Sequence, residues 1–156
     1  MHLYKNVRTG AVYLGRGWKL VFKRSFSGMR VRCVQIVSTS GPNLRQPVDH
    51  SPHMAIGDEY HVLSILIEAD PNAALPRLVQ VLGDGGPAWW PMEMFVTVSS
   101  GIPPNWTLEL RPDGSLHFAP ERWLRSGFWE EYFDNPRDGE AAETFRQEVE
   151  IIAQER

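Results

Sequence analysis

The sequence predicts an α+β fold, with an antiparallel β-meander or partly open barrel over the first two thirds, then a β-hairpin and two C-terminal helices. Three observations predict it. Short segments rich in Val, Ile and Tyr recur between Gly, Pro and Asp turns from Met29 to Val98. After Pro120 the apolar spacing changes from a period of 2 to one of 3.6. The chain of 156 residues is 42% hydrophobic and 22% charged, which suits one globular domain that buries a core without staples.

Residues 1–28 contain Lys5, Arg8, Arg16, Lys19, Lys23 and Arg24 and no acid, so they read as a basic N-terminal arm or extension ahead of a single domain over 29–156. Export is not expected, because Val12, Tyr13 and Leu14 run directly into Gly15, Arg16 and Gly17 and leave no apolar core for a signal segment. The first strand spans Met29 to Val37, with Val31, Cys33 and Gln35 on one face and Arg30, Arg32 and Val34 on the other. A polar loop rich in Ser, Pro, Asn and His fills Ser38 to Met54. Gly57-Asp58 turns into a second strand over Glu59–Ile67, and Asp70-Pro71-Asn72 closes it. A third strand, Arg77–Leu82, meets the turn Gly83-Asp84-Gly85-Gly86-Pro87, after which Trp89-Trp90-Pro91 leads to a strand over Met94–Val98.

Residues 99–156 complete the domain. Trp106–Leu110 and Leu116–Phe118 flank Pro112-Asp113-Gly114 and predict the hairpin. Pro120 suits a first helical position, Glu121 and Arg125 stand four apart in the favourable order, and Gly127 interrupts. Asn135-Pro136 reads as the N-cap and first turn of the last helix, where Ala142, Phe145, Val149 and Ile152 form the apolar stripe and Glu143, Gln147, Glu150 and Gln154 face outward.

Strand 31–34, the loop, Gly57-Asp-Glu-Tyr-His-Val-Leu, Asp84-Gly, Trp90-Pro91 and Phe95 together resemble the SH3-like small β-barrels of short bacterial and phage proteins over residues 29–98. The resemblance implies a binding scaffold that presents aromatic residues and loop edges to a peptide, a protein or a nucleic acid.

Charge divides the chain. Residues 1–50 hold nine Lys or Arg and only Asp49 as acid (+8), residues 51–100 hold one base and six acids (−5), and residues 101–156 hold six bases and twelve acids (−6), which sums to the net −3. Two opposed surfaces, or mutual compensation where the halves pack, follow from this. A single cysteine, Cys33, excludes an intrachain disulfide and a Cys-based zinc site and suits a reducing cytosol. No run approaches the roughly 18 apolar residues of a membrane span. Walker, GxSxG and GxGxxG motifs are missing from the sequence.

Candidate chemistry is sparse. Asp49, His50 and His53 share one loop but lack a scaffold and a fourth ligand, so they read as solvated residues with no metal or other cofactor. Glu121, Glu130, Glu131 and Asp134 read as a charged face, because a glycosidase needs two carboxyls fixed across a cleft. Cys33 reads as a buried inert thiol. Trp123, Phe128 and Phe133 are expected in the core, whereas Trp129 and Tyr132 are expected to be more open. Of the adjacent Trp89 and Trp90, at most one can be fully buried. The leading expectation is a non-catalytic cytosolic module that binds another protein and is similar to bacterial immunity proteins. It would act by occlusion, with Trp89 or Trp90, Trp129 and Tyr132 as anchors and Glu130, Glu131 and Asp134 steering a basic partner. The alternative is nucleic-acid binding through Lys19, Lys23, Arg24, Arg30 and Arg32.

Overall fold

Nine residues without Gly or Pro, Glu59–Ile67, make the longest strand, and the rest of the sheet is arranged around it. The computed structural model describes residues 28–154 together with Tyr4–Lys5 and Val12–Tyr13. Those last two are strands β1 (Tyr4–Lys5) and β2 (Val12–Tyr13), paired antiparallel. From residue 28 on, the strands are β3 (Arg30–Cys33), β4 (Ile36–Val37), β5 (Pro47–Val48), β6 (Glu59–Ile67), β7 (Arg77–Gly83) and β8 (Gly86–Pro91). They continue with β9 (Phe95–Ser99), β10 (Trp106–Leu110) and β11 (Leu116–Pro120), and helices α1 (Phe128–Asp134) and α2 (Glu140–Ala153) follow. The fold is α+β, and every strand pairing among the described residues is antiparallel.

Strand β6 serves three partners. Its first half pairs β3, with Arg32 opposite Glu59 and Arg30 opposite His61. Its second half pairs β11, with Phe118 opposite Ile65 and Leu116 opposite Ile67. Along the other edge runs β7, from Val62↔Val81 to Ile67↔Arg77, and the register slips between Val62 and Ser64. That irregularity bends the strand, as bulges do. The main path is β10-β11-β6-β3-β9, with β7 and β8 added on the second edge of β6. A short 3-10 turn, Met92–Met94, joins β8 to β9.

Adjacent residues of β6 point to opposite faces and therefore enter different cores. Val62 packs with Val31, Cys33, Ile36, Val37, Met54, Val79, Val81 and Met94. Leu63 packs with Trp123, Phe128, Tyr132, Ala141, Ala142, Phe145 and Ile152, under the two helices. The sheet is thus a wall with one core on each side. Across the β6–β7 pair the buried Ser64 Oγ donates to the buried Gln80 Oε1 at 2.7 Å, which matches the hydroxyl with the amide oxygen.

Several expected boundaries move. The first strand stops at Cys33, because the N–H groups of Val34 and Gln35 turn to the carbonyl of Met94. Ile36–Val37 then pairs with Pro47–Val48, so residues 38–54 hold a hairpin where an irregular loop was expected. The tip is closed by Ser38 N–H to Gln46 O (2.9 Å) and Arg45 N–H to Ser38 O (2.8 Å). Beyond it His53 lies so close over Gly83 and Gly85 that a Cβ on Gly83 would stand 2.8 Å from the His53 carbonyl oxygen.

Pro120 does not start a helix. It is extended (φ −52°, ψ 132°) and ends the β10–β11 ladder opposite Trp106. Only a 3-10 turn, Glu121–Trp123, follows, and α1 begins after Gly127, whose φ of 81° lies in the left-handed region that favours glycine. The expected Glu121–Arg125 pair is replaced by Arg125–Glu131 at 2.7 Å, since no helix links 121 to 125. Asn135 closes α1 through its N–H to Glu131 O, and Gly139 caps α2, which starts at Glu140 and not at Asn135-Pro136. The stripe Ala142, Phe145 and Ile152 is buried and Val149 half-buried as the spacing predicts, and Ala141, Thr144 and Glu148 widen it.

Candidate functional site

The aromatic run of α1 forms a ledge. Positions 128 and 132 lie one turn apart and share the inner face of a helix docked on α2, so Phe128 (0% exposed) and Tyr132 (7%) are core. The ring of Tyr132 lies 4.7 Å from that of Phe145, and its burial raises the phenol pKa. Trp129 is half-buried at the margin, edge-on to Trp123 (5.5 Å) and Phe128 (5.1 Å). Phe133, one position further round, is 59% exposed and lies 5.8 Å from Trp129. The expectation for Tyr132 and Phe133 is therefore reversed: the tyrosine is sealed in and the phenylalanine projects. Trp123 and Phe128 occupy the core as expected.

The exposed positions of α1 other than Phe133 are all acidic. Glu130, Glu131 and Asp134 are all exposed, and α1 carries no base within its seven residues. Arg125 holds Glu131 at 2.7 Å and lies over the ring of Phe128 at 5.3 Å, so one of the three carboxylates is fixed in place. An exposed ring on a packed aromatic base, on a helix that also exposes three carboxylates, offers an apolar anchor and a field that attracts cations.

The tryptophan pair splits across the sheet. Trp90 packs against the first core and, with His53, Gly85 and Ala88, lines a slot of about 130 Å³. Trp89 lies on the opposite face, its ring 5.6 Å from that of His117. Both are half-buried, so neither stands out as a projecting anchor.

The basic residues of the nucleic-acid reading part into two groups. Lys19, Lys23 and Arg24 lie outside the described residues. Arg30 and Arg32 both reach Glu59, at 3.4 and 2.7 Å, and the Arg32 hydrogen bond holds the Glu59 carboxyl below its usual range. Their charge is therefore partly neutralised on the sheet itself. Asp49 and His50 are exposed, and no cluster of three His, Cys, Asp or Glu suited to a metal occurs among the described residues. Cys33 is fully buried, and desolvation raises its thiol pKa, the setting of an unreactive thiol.

Two polar features escaped sequence reasoning. His117 on β11 is 4% exposed; the Arg111 guanidinium donates to its Nδ1 at 2.8 Å, and its Nε2 has no partner. Burial, with Arg111 adding to it, lowers its pKa to about 4. Glu148 on α2 is likewise 4% exposed and is bound by Asn105 and Arg122. The alternation of β11 places 117 on a buried face, but nothing local signals that Glu148, within a run of exposed glutamates, turns inward.

No helix of the described residues is long and apolar enough to cross a membrane. Comparison with family models, curated proteins and solved structures gave no match to this chain.

Proposed function

We propose that this chain is a non-catalytic cytosolic interaction module that captures a basic segment of another protein on the α1 ledge and acts by occluding it. The observation that carries this reading is Phe133, 59% exposed on a base of packed rings, on a helix whose other exposed positions are Glu130, Glu131 and Asp134. A Lys or Arg side chain of the partner would lie over the ring while its charge meets the carboxylates. The sheet supports a binding role too. The order β9-β3-β6-β7-β8, with a bent central strand and a 3-10 turn into the last strand, is similar to an SH3-like barrel and supports reading residues 29–98 as such a scaffold. The buried thiol of Cys33 suits a reducing compartment.

Pull-down from native lysate, with nuclease and salt arms, compares the wild-type chain with Phe133→Ala and with Glu130→Lys/Asp134→Lys. A basic protein retained after nuclease treatment, at least about tenfold less by Phe133→Ala and lost with the charge reversal, is the expected result. Equal retention by all three chains refutes the ledge. Recovery of nucleic acid that elutes steeply with salt turns the assignment to the basic segment.

A further inference from the structure

A second site lies away from the ledge residues, where the start of β10 meets the 3-10 turn and the second half of α2. It is a cleft of about 310 Å³ whose walls include Asn105, Trp106, Glu121, Arg122, Glu148 and Ile151. Its polar groups hold one another in fixed positions. Asn105 Nδ2 donates to Glu148 Oε2 at 2.6 Å and to the Glu148 backbone carbonyl at 3.2 Å. Arg122 Nη1 reaches Gln147 Oε1 at 3.0 Å and Glu148 Oε1 at 3.3 Å, while its Nη2 reaches Thr144 Oγ1 at 3.1 Å. Two atoms of the wall residues, Asn105 Oδ1 and Trp106 Nε1, are buried without a protein partner among the described residues and are closed to a ligand in the cleft.

The charges narrow the ligand class. Glu148 and Arg122 neutralise each other, and Glu121 adds a carboxylate at the rim. An anion would meet two carboxylates and a cation would meet the guanidinium, so a neutral molecule meets the least opposition. Such a molecule must both donate to carboxylate oxygens and accept from guanidinium N–H groups, which is what neighbouring hydroxyls do. Trp106, Ile151 and Pro104 supply the apolar part of the wall, where ring C–H groups can lie against indole. The volume sits at the low end of small-molecule sites, near the roughly 300 Å³ lower bound, which suits one ring and not a chain of them. We propose that this cleft binds a single neutral polyhydroxylated ring, a monosaccharide-sized carbohydrate, with Asn105, Arg122 and Glu148 holding its hydroxyls.

Two-dimensional NMR on the full 15N-labelled chain tests this. The Trp106 indole signal is identified among the six tryptophans by Trp106→Phe, and D-glucose, D-galactose and N-acetyl-D-glucosamine are titrated separately, with sodium phosphate and methylammonium chloride as charged probes. Saturable shifts of the Trp106 indole and of the Asn105, Arg122 and Glu148 amides, at millimolar concentration of at least one sugar, are expected. Ile151→Trp, which fills the cleft from an exposed helix position without removing a buried partner, abolishes them. Arg122→Ala weakens them by roughly tenfold, the loss of one charged hydrogen bond. Shifts that stay linear for all three sugars, that persist in Ile151→Trp, or that saturate with phosphate or methylammonium at lower concentration than with any sugar overturn the proposal.

Discussion

His117 makes the stability of this protein depend on pH in a range where few other groups titrate. Arg111 donates to Nδ1, so the neutral ring carries its proton on Nε2, and a second proton would have to enter at Nδ1, against the guanidinium. Burial and that nearby cation together lower the pKa from 6.5 to about 4. The folded state therefore refuses a proton that the unfolded state accepts. Between pH 6.5 and 4 the unfolded chain binds more protons, so stability is full above pH 6.5 and falls as pH drops toward 4. Integrating between pH 7 and pH 5 gives a loss of about 2 kcal/mol from this one group. With a urea m-value of roughly 2 kcal/mol/M the midpoint moves by about 1 M. Carboxylates held low by partners, such as Glu59 by Arg32 and Glu93 by Arg45, lose their contribution only at lower pH, which keeps the window clear. The measurement is urea unfolding of the wild type and His117→Phe at pH 7 and pH 5. Phenylalanine keeps a ring against Trp89 and removes the titration, so the variant should lose far less stability than the wild type over those two units of pH. An equal loss in both proteins would refute the assignment, because the pH dependence would then arise elsewhere.

Three further perturbations test the packing. Ser64→Ala leaves Gln80 Oε1 buried without its 2.7 Å donor and should cost about 1–3 kcal/mol in urea unfolding, whereas Ser64→Ala with Gln80→Leu removes both polar groups and should recover part of it. Gly83→Ala places a Cβ 2.8 Å from the backbone carbonyl oxygen of His53, which must shift the loop; a loss of about 1–3 kcal/mol by thermal unfolding is expected, and an unchanged midpoint would mean that the loop does not rest on the hairpin. Cys33, fully buried with a raised pKa, should resist a thiol reagent in the native state and react at once in urea.

Much of the fold was legible because its signals are local. The bounds of β6 and β10 match the sequence expectation to the residue, since each is flanked by turn residues and fills with β-branched or aromatic side chains. Errors arose where a distant partner decided the outcome. Val34 and Gln35 leave the first strand because the Met94 carbonyl, some sixty positions on, takes their N–H groups. Pro120 is compatible with a helix start or a strand end, and its ladder partner Trp106 selects the second. The ledge was half legible: the run of aromatics marked α1, but which ring projects depends on the docking angle against α2. The cleft was illegible, since Asn105 and Glu148 are 43 positions apart and meet only in the folded chain.

The double use of β6 explains why the ledge can serve as a rigid surface. Phe133 stands on Trp129, which rests on Trp123 and Phe128, and those rings share a core with Leu63 of the central strand. The next residue back, Val62, is locked into the opposite core with Val81. Any tilt of α1 would therefore have to disturb β6, and with it a wall that both cores share. Gly28 adds to this at the far end of α2: it lies so close to the Ile152 carbonyl that no Cβ would fit, and its own carbonyl accepts from Ser99 Oγ at 3.1 Å. Gly28, the end of β9 and the last turn of α2 are thus packed at one point. An exposed ring held this firmly loses little freedom when a partner covers it, so more of its contact energy remains as affinity than on a loop.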